Sequence, residues 1–153
     1  MLVTSHVLAG AALGTVLRGH PATAFVAGVV SHAGMDACPH WGAGDRHTDP
    51  VARARFLHVA RGDGCTGLAA MALAAGLSSA GARPATVAAM VGAALPDADK
   101  PCEHFLGFNP FPRVVREIHD RIQREAPHRL PHEVVAAGLL AVLAAWTIRR
   151  TGD

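Results

Sequence analysis

Tyrosine is absent from this 153-residue chain, and aromatic residues make up only 5% of it. A core built on large aromatic side chains is thereby excluded, while the abundant Ala and Gly fit helices that approach closely through small residues. The three cysteines, Cys38, Cys65 and Cys102, are far apart and form no C-x-x-C pair. That rules out a disulfide framework or a thiolate zinc knuckle, and reads as small buried side chains in a reducing compartment. Charge is scarce too. With 17% charged residues and a net charge of +2, neither a polybasic nucleic-acid binder nor an acidic disordered tail is indicated, and no nucleic-acid partner is expected. The arginines that cluster in 46–61 and 113–129 read as solvated or cytoplasmic loops. The amino terminus lacks a basic n-region, so no signal peptide is expected.

Strict period-2 alternation is missing as well, which leaves Ala-rich, Gly-dotted apolar runs that argue for helices. The expected fold is all-α, a single domain over 1–153, arranged as a compact bundle of five to six helices. The first helix is expected over Ser5–Val16 with Thr4 or Ser5 as N-cap. A second runs from Ala22 to Cys38, where Pro39 disfavours helical geometry in the residue before it. A polar loop over 41–50 and a short helix over 51–60 follow. Gly62-Asp63-Gly64 is then expected to break the chain before a helix over Thr66–Ser79. Pro84 suits the first turn of a fourth helix ending near Leu95. Residues 96–112, with four prolines, should be mostly irregular. An amphipathic helix over Arg113–Glu125 carries Val114, Val115, Ile118 and Ile122 on one face, and a last helix spans Pro131–Arg149.

The uncharged stretches cover 2–17, 19–35, 64–82, 84–96 and, interrupted by Glu133, 130–132 and 134–148. A bilayer crossing wants roughly 20 apolar residues, and only the third comes near that. Such lengths suit either short membrane-embedded helices around a polar centre or the buried helices of a soluble bundle. The first alternative is favoured here, with the cytoplasmic membrane as location and a cytoplasmic bundle as the alternative.

Against this apolar background stand ten histidines, several beside aspartates. Imidazole and carboxylate are the usual N and O ligands of zinc and similar divalent ions, and are costly to bury unless paired or metal-bound. His32 and Asp36 are four apart in an expected helix and share one face, so both can reach one ion. Asp97 and Asp99 close an apolar helix, where negative charge opposes the helix dipole and calls for a compensating cation. In His128-Arg129-Leu130-Pro131-His132-Glu133, Pro131 precludes one continuous helix. It is better placed at the first helical position, with His132 and Glu133 following and His128 arriving from the preceding turn. Arg129 can hold an anionic phosphate oxygen. His6 opens the first helix; His40, His104 and the His119-Asp120 pair are further candidates, whereas His20, His47 and His58 read as loop or surface residues.

With these residues assembled, the chain resembles the YdjM-like inner-membrane metal-dependent hydrolases, themselves similar to the all-helical zinc-dependent phospholipases C and single-strand-specific zinc nucleases. The matching features are His6, the L-P-D-x-D of Leu95, Pro96, Asp97 and Asp99, the H-R-x-x-H of His128, Arg129 and His132, and the S-H-x-x-x-D of Ser31, His32 and Asp36. The last element precedes the other two here and follows them in the family, and Lys100 stands where the family often has His. The resemblance implies zinc as cofactor and hydrolysis of a phosphate ester or similar bond in a small molecule or lipid. It also implies His6, His32, Asp36, Asp97, His128 and His132 as metal ligands, Asp99 as base or bridging carboxylate, and Arg129 as anion clamp. The rival is a non-catalytic membrane or scaffold protein with a structural His/Asp metal or hydrogen-bond network; a transporter-like bundle fits the short helices less well.

Overall fold

The computed structural model describes residues 1–43 and 48–151; His47 and the centre of the expected 41–50 loop lie outside the described residues. Six helices carry the fold, α1 Val3–Val16, α2 Pro21–Asp36, α3 Pro50–Leu77, α4 Arg83–Ala94, α5 Arg113–Ile122 and α6 Leu130–Thr151, and no strand occurs among the described residues. The middle of the bundle is α1, which packs against α2, α3, α4 and α6. Ten of its fourteen residues are buried, which explains why it shows no polar face.

Small side chains set the spacing. A Cβ on Gly28 of α2 would overlap Ala89 O of α4, and one on Gly92 of α4 would overlap Phe25 O of α2. The two backbones therefore lie in direct contact, and each glycine's helix-propensity cost of about 1 kcal/mol is offset by packing that no larger residue permits. Val7, Ala11, Ala74, Met90, Ala144 and Ile148 form the main apolar core, and a second cluster of Trp41, Ala43 and Phe56 lies at the opposite end.

Several expected boundaries move, each for a tertiary reason. The glycines at 62 and 64 do not break the chain, since α3 runs unbroken from Pro50 to Leu77. Asp63 between them accepts hydrogen bonds from the backbone N–H groups of Val3 (2.7 Å) and Thr4 (3.0 Å). It thus caps α1 from outside, where Thr4 or Ser5 was expected to act, and α1 starts at Val3. A carboxylate at a helix N-terminus meets both unpaired donors and the positive end of the dipole. Beyond α4 the chain continues as helical turns, 3-10 over Leu95–Ala98, α over Asp99–Pro101 and π over Cys102–Leu106, before Gly107 at φ 77° ends them. Irregular backbone begins there rather than at residue 96.

The ends of α2 and α5 are tied together. Helix α2 stops at Asp36, two residues before Cys38, and α5 stops at Ile122 instead of Glu125. The freed segments pair: Arg124 N–H donates to Asp36 O, His40 N–H to Arg124 O, and Ala126 N–H to His40 O. The expected apolar face of α5 is not its buried face, because Val114, Val115 and Ile118 are exposed while His119 is buried. Cys38 and Cys65 are exposed and Cys102 half-buried, all as free thiols, so the expectation of three buried cysteines fails.

At 14, 16 and 12 residues, helices α1, α2 and α4 reach only about 18–24 Å, short of the ~30 Å hydrocarbon core of a bilayer. The stretch Pro127–Thr151 alone among the described residues is long and apolar enough to cross a membrane, and only 22% of its most apolar window is buried in the bundle.

Candidate metal centre

Four elements bring histidine and aspartate to one end of the bundle. The first turn of α1 supplies His6, the last turn of α2 His32 and Asp36, the turns after α4 Asp97 and Asp99, and α5 His119. His6 and Asp36 are 0% exposed and His32 1%, so solvation does not compensate their polarity.

The tautomer of His32 is fixed. Its Nδ1 lies 2.8 Å from Ala93 O, an acceptor only, so Nδ1 carries a proton and, in the neutral ring, Nε2 is left as the ligand atom facing the cluster. That Nε2 lies 3.2 Å from Asp36 Oδ2 and 3.1 Å from His119 Nε2, and His119 Nε2 lies 3.3 Å from Asp36 Oδ2. A tetrahedral zinc with ligands at 2.0–2.1 Å has ligand-to-ligand edges of about 3.3 Å, so this triangle has the right size for one face of such a site. Asp97 Oδ1 stands 3.8 Å from His119 Nε2. Ligand atoms of His32, Asp36, Asp97 and His119 all fall within 4.8 Å of one another, and these residues could hold a metal ion.

His6 stacks on His32 with ring centroids 4.0 Å apart. Its Nε2 is 3.2 Å from Asp36 Oδ1 and 3.9 Å from Asp97 Oδ2, yet neither ring nitrogen has hydrogen-bond geometry to any partner. Leaving a buried polar group unpaired costs about 1–3 kcal/mol. A buried imidazole nitrogen near two carboxylates is what a cation would satisfy.

Around this centre lies a ring of supporting contacts. Gln123 Nε2 is 3.2 Å from Asp36 Oδ2 and 3.1 Å from His119 Nε2, and the Met1 amino group donates to Asp36 Oδ1 at 2.9 Å. Lys100, the chain's one lysine, donates to Asp97 Oδ1 at 2.6 Å, while its backbone N–H donates to Asp99 Oδ1 at 2.7 Å. Asp99 Oδ2 faces His119 Nδ1 at 3.7 Å.

These contacts set the protonation of the metal-free cluster. Burial opposes the charge of Asp36, but contacts from His119, His32 and His6 outweigh it and hold the carboxyl far below its ordinary range. Asp97 is likewise opposed by burial and held low by Lys100, His6 and His32. Burial also works against the Lys100 charge, yet Asp97 keeps its pKa above the ordinary value. Burial dominates at His6 and pushes it below the ordinary histidine value in spite of Asp36. His119, opposed by burial but hydrogen-bonded to Asp36 and close to Asp99, is pushed up to about 9.

The residues expected from sequence divide cleanly. His6, His32, Asp36 and Asp97 converge, with Asp99 beside them. His128 and His132 are exposed and outside the cluster, and Arg129 is half-buried without approaching it. The cause is a one-residue shift: α6 begins at Leu130, so Pro131 takes the second helical position and Glu133 turns inward in place of His132. Glu133 is 3% exposed and accepts from Leu2 N–H at 2.9 Å and, more weakly, from Trp41 N–H at 3.4 Å. It holds the start of α1 and thereby His6. The cation beside the cluster is Lys100, where Arg129 was expected. His40 is buried with Nδ1 donating to Cys38 O at 2.9 Å, and His104 packs against Phe56 at 4.9 Å, each apart from the central triangle.

Two members of the cluster carried little sequence signal. His119 stood out only as a secondary candidate, and Gln123 did not stand out at all. His119 lies in the last turn of α5 and Gln123 caps that helix four residues on, and the exposed apolar stripe of the helix drew attention to the wrong side. In comparison with known proteins, no family model, no curated protein and no solved structure matches this chain.

Proposed function

We propose that the protein is a metal-dependent hydrolase, with zinc as its ion and a phosphate ester or similar bond as its target. The observation that carries the reading is His6: a wholly buried imidazole with no hydrogen bond at either nitrogen, its Nε2 near two carboxylates and its ring stacked on His32. His6, His32, Asp36, Asp97 and His119 would hold the ion. Bound there, it would supply a water of lowered pKa and polarise the scissile group. Hydrolysis delivers hydroxide to phosphorus and a proton to the departing alcohol oxygen. Among this chain's residues, Asp99 faces His119 Nδ1 and is placed to accept a proton, and Lys100 is placed to neutralise a phosphate oxygen. The resemblance to the YdjM-like hydrolases supports the same chemistry, with Lys100 taking the role that sequence gave to Arg129.

A second reading, a structural metal or hydrogen-bond network in a non-catalytic protein, draws support from the burial of His6, His32 and Asp36. Asp97 and Lys100 favour the hydrolase, because both line a cavity, and a catalytic site needs one open side. The membrane is the proposed location. The outward apolar face of α6, with Val134, Val135, Leu139, Val142 and Trp146 all exposed, supports contact with lipid.

Metal analysis of the purified protein tests the reading. Bound metal is expected in the wild type, lost in His32→Ala and retained in His132→Ala. Metal in all three at full stoichiometry, or in none, would refute the centre. A wild type that holds metal yet hydrolyses no phosphate ester would favour the structural alternative.

A further inference from the structure

Beside the His/Asp cluster lies a cavity of about 310 Å³. Its walls come from the start of α1, the first half of α3, the loop at Trp41 and the turns after α4. Most of the surface is apolar, with Leu2, Trp41, Phe56, Ala60 and Phe105 as its larger contributors. Two charged residues mark the end that adjoins the cluster: Asp97, itself a candidate ligand, and Lys100, whose side chain stays 19% exposed while bound to Asp97. Other polar residues reach the walls. Asp63 is engaged by the two N–H groups it caps, His104 lies against Phe56, and Glu125 packs near Gly42. Lys100 is thus the one Lys or Arg side chain lining the cavity among the described residues, and the Met1 amino group borders it as well.

An apolar chamber with a cation and a metal-ligand cluster at one end is complementary to an amphiphile whose anionic group sits at that end. Each methylene that leaves water adds to the affinity, so a few buried carbons would favour the amphiphile over inorganic phosphate. Phe105, in the wall, is itself more than half exposed.

We infer that this cavity binds the apolar alcohol portion of a phosphate ester, placing the phosphate at Lys100 and the His/Asp cluster. The inference rests on the hydrolase reading for its claim that the bound ester is a substrate; the binding itself does not require turnover. A dissolved alkyl phosphate and a bilayer-borne lipid phosphate share this chemistry.

The test is titration of Trp41 fluorescence in a Trp146→Phe background, with decyl phosphate, inorganic phosphate and decyltrimethylammonium as probes. Decyl phosphate is expected to bind at least tenfold more tightly than either of the others. Ala60→Leu, which fills the chamber, should weaken decyl phosphate at least tenfold while leaving metal content unchanged. Phe105→Ser, at an exposed rim position, gives an independent variant with the same expected direction should Ala60→Leu fail to fold. Lys100→Met should erase the preference for decyl phosphate over the ammonium probe. Decyl phosphate offered as monomer and in phosphatidylcholine vesicles separates the two sources, and tight binding from either supports the inference. Decyl phosphate that binds no better than inorganic phosphate, or binding indifferent to Ala60→Leu and Phe105→Ser alike, overturns it. Metal analysis is independent: a metal-free protein that still binds decyl phosphate loses the hydrolase reading and keeps the amphiphile site, and a metal-loaded one that does not bind it shows the reverse.

Discussion

The two ends of this bundle solve opposite problems. Around the turns that join α1 to α2 and α3 to α4, and at the end of α6, the charged residues are Arg18, Arg83, Arg149 and Arg150, and the described residues include no carboxylate there. Backbones touch through glycine, and the buried polar groups there are hydroxyls such as Ser78 and Thr86 that donate to nearby helix carbonyls. At the other end Asp36, Asp97, Asp99 and Glu133 are all buried together with His6, His32, His40 and His119, and the packing is governed by polar satisfaction. An apolar interior tolerates no added volume, whereas a polar one tolerates no missing partner.

The sharpest way to break the contrast is volume. Gly28→Leu should cost about 3 kcal/mol or more, because its side chain would enter the α4 backbone at Ala89. Gly34→Ala, on the same helix where nothing lies within 4 Å, should instead stabilise by about 0.5 kcal/mol. Urea denaturation of both variants, without metal, checks the pair; equal effects would remove the distinction.

Proton balance tests the polar end. His119 is raised to about 9 from a model-peptide value of 6.5. Its contribution to metal-free stability is therefore fully present below pH 6.5 and lost as pH rises through 9, a change on the order of 3 kcal/mol. Asp36 and Asp97 lie below 3.8, so their contribution is present above that value and lost only as pH falls below it. His6, held below 6.5 by burial, makes stability fall as pH drops below 6.5, so metal-free stability should peak near pH 6.5 and decline above it. Since a ligand histidine must be neutral, metal affinity should rise over the same alkaline interval. Denaturation midpoints across pH with a chelator present would show a flat alkaline limb if His119 does not hold its proton. The smallest expected loss lies at the seam between the ends. Asp63→Ala should cost about 1–2 kcal/mol through the lost cap of α1, and should weaken metal binding because His6 follows within one turn. Calorimetry and metal titration of this variant together show whether the two losses travel together.

Much of the helical layout was legible because Ala-rich runs and prolines act locally. The errors arose where a distant partner decided the outcome. Gly62-Asp63-Gly64 has the local signature of a break, but the partner of Asp63 is sixty residues away on α1. In the same way, the 96–112 prolines did not prevent helical turns as far as Leu106. At the site, His6, His32, Asp36 and Asp97 stood out because their polarity contrasts with apolar neighbours. His119 did not, since it sits in a helix already rich in charge, and only tertiary packing selects it from among them. The difference between Glu133 and His132 turns on a single position in the start of α6, a resolution that sequence periodicity does not reach.

The pairing of the 38–40 and 124–126 segments has an evolutionary corollary. It is made by main-chain atoms, so the approach of His119 toward Asp36 is constrained by hydrogen bonds that survive almost any exchange of the intervening side chains. The outward residues of α5 are released from that duty. Relatives of this chain should therefore vary freely at Val114, Arg121 and Arg124 while keeping helix length between Pro112 and Gln123, and an insertion or deletion in that interval would be a more damaging change than several substitutions at once.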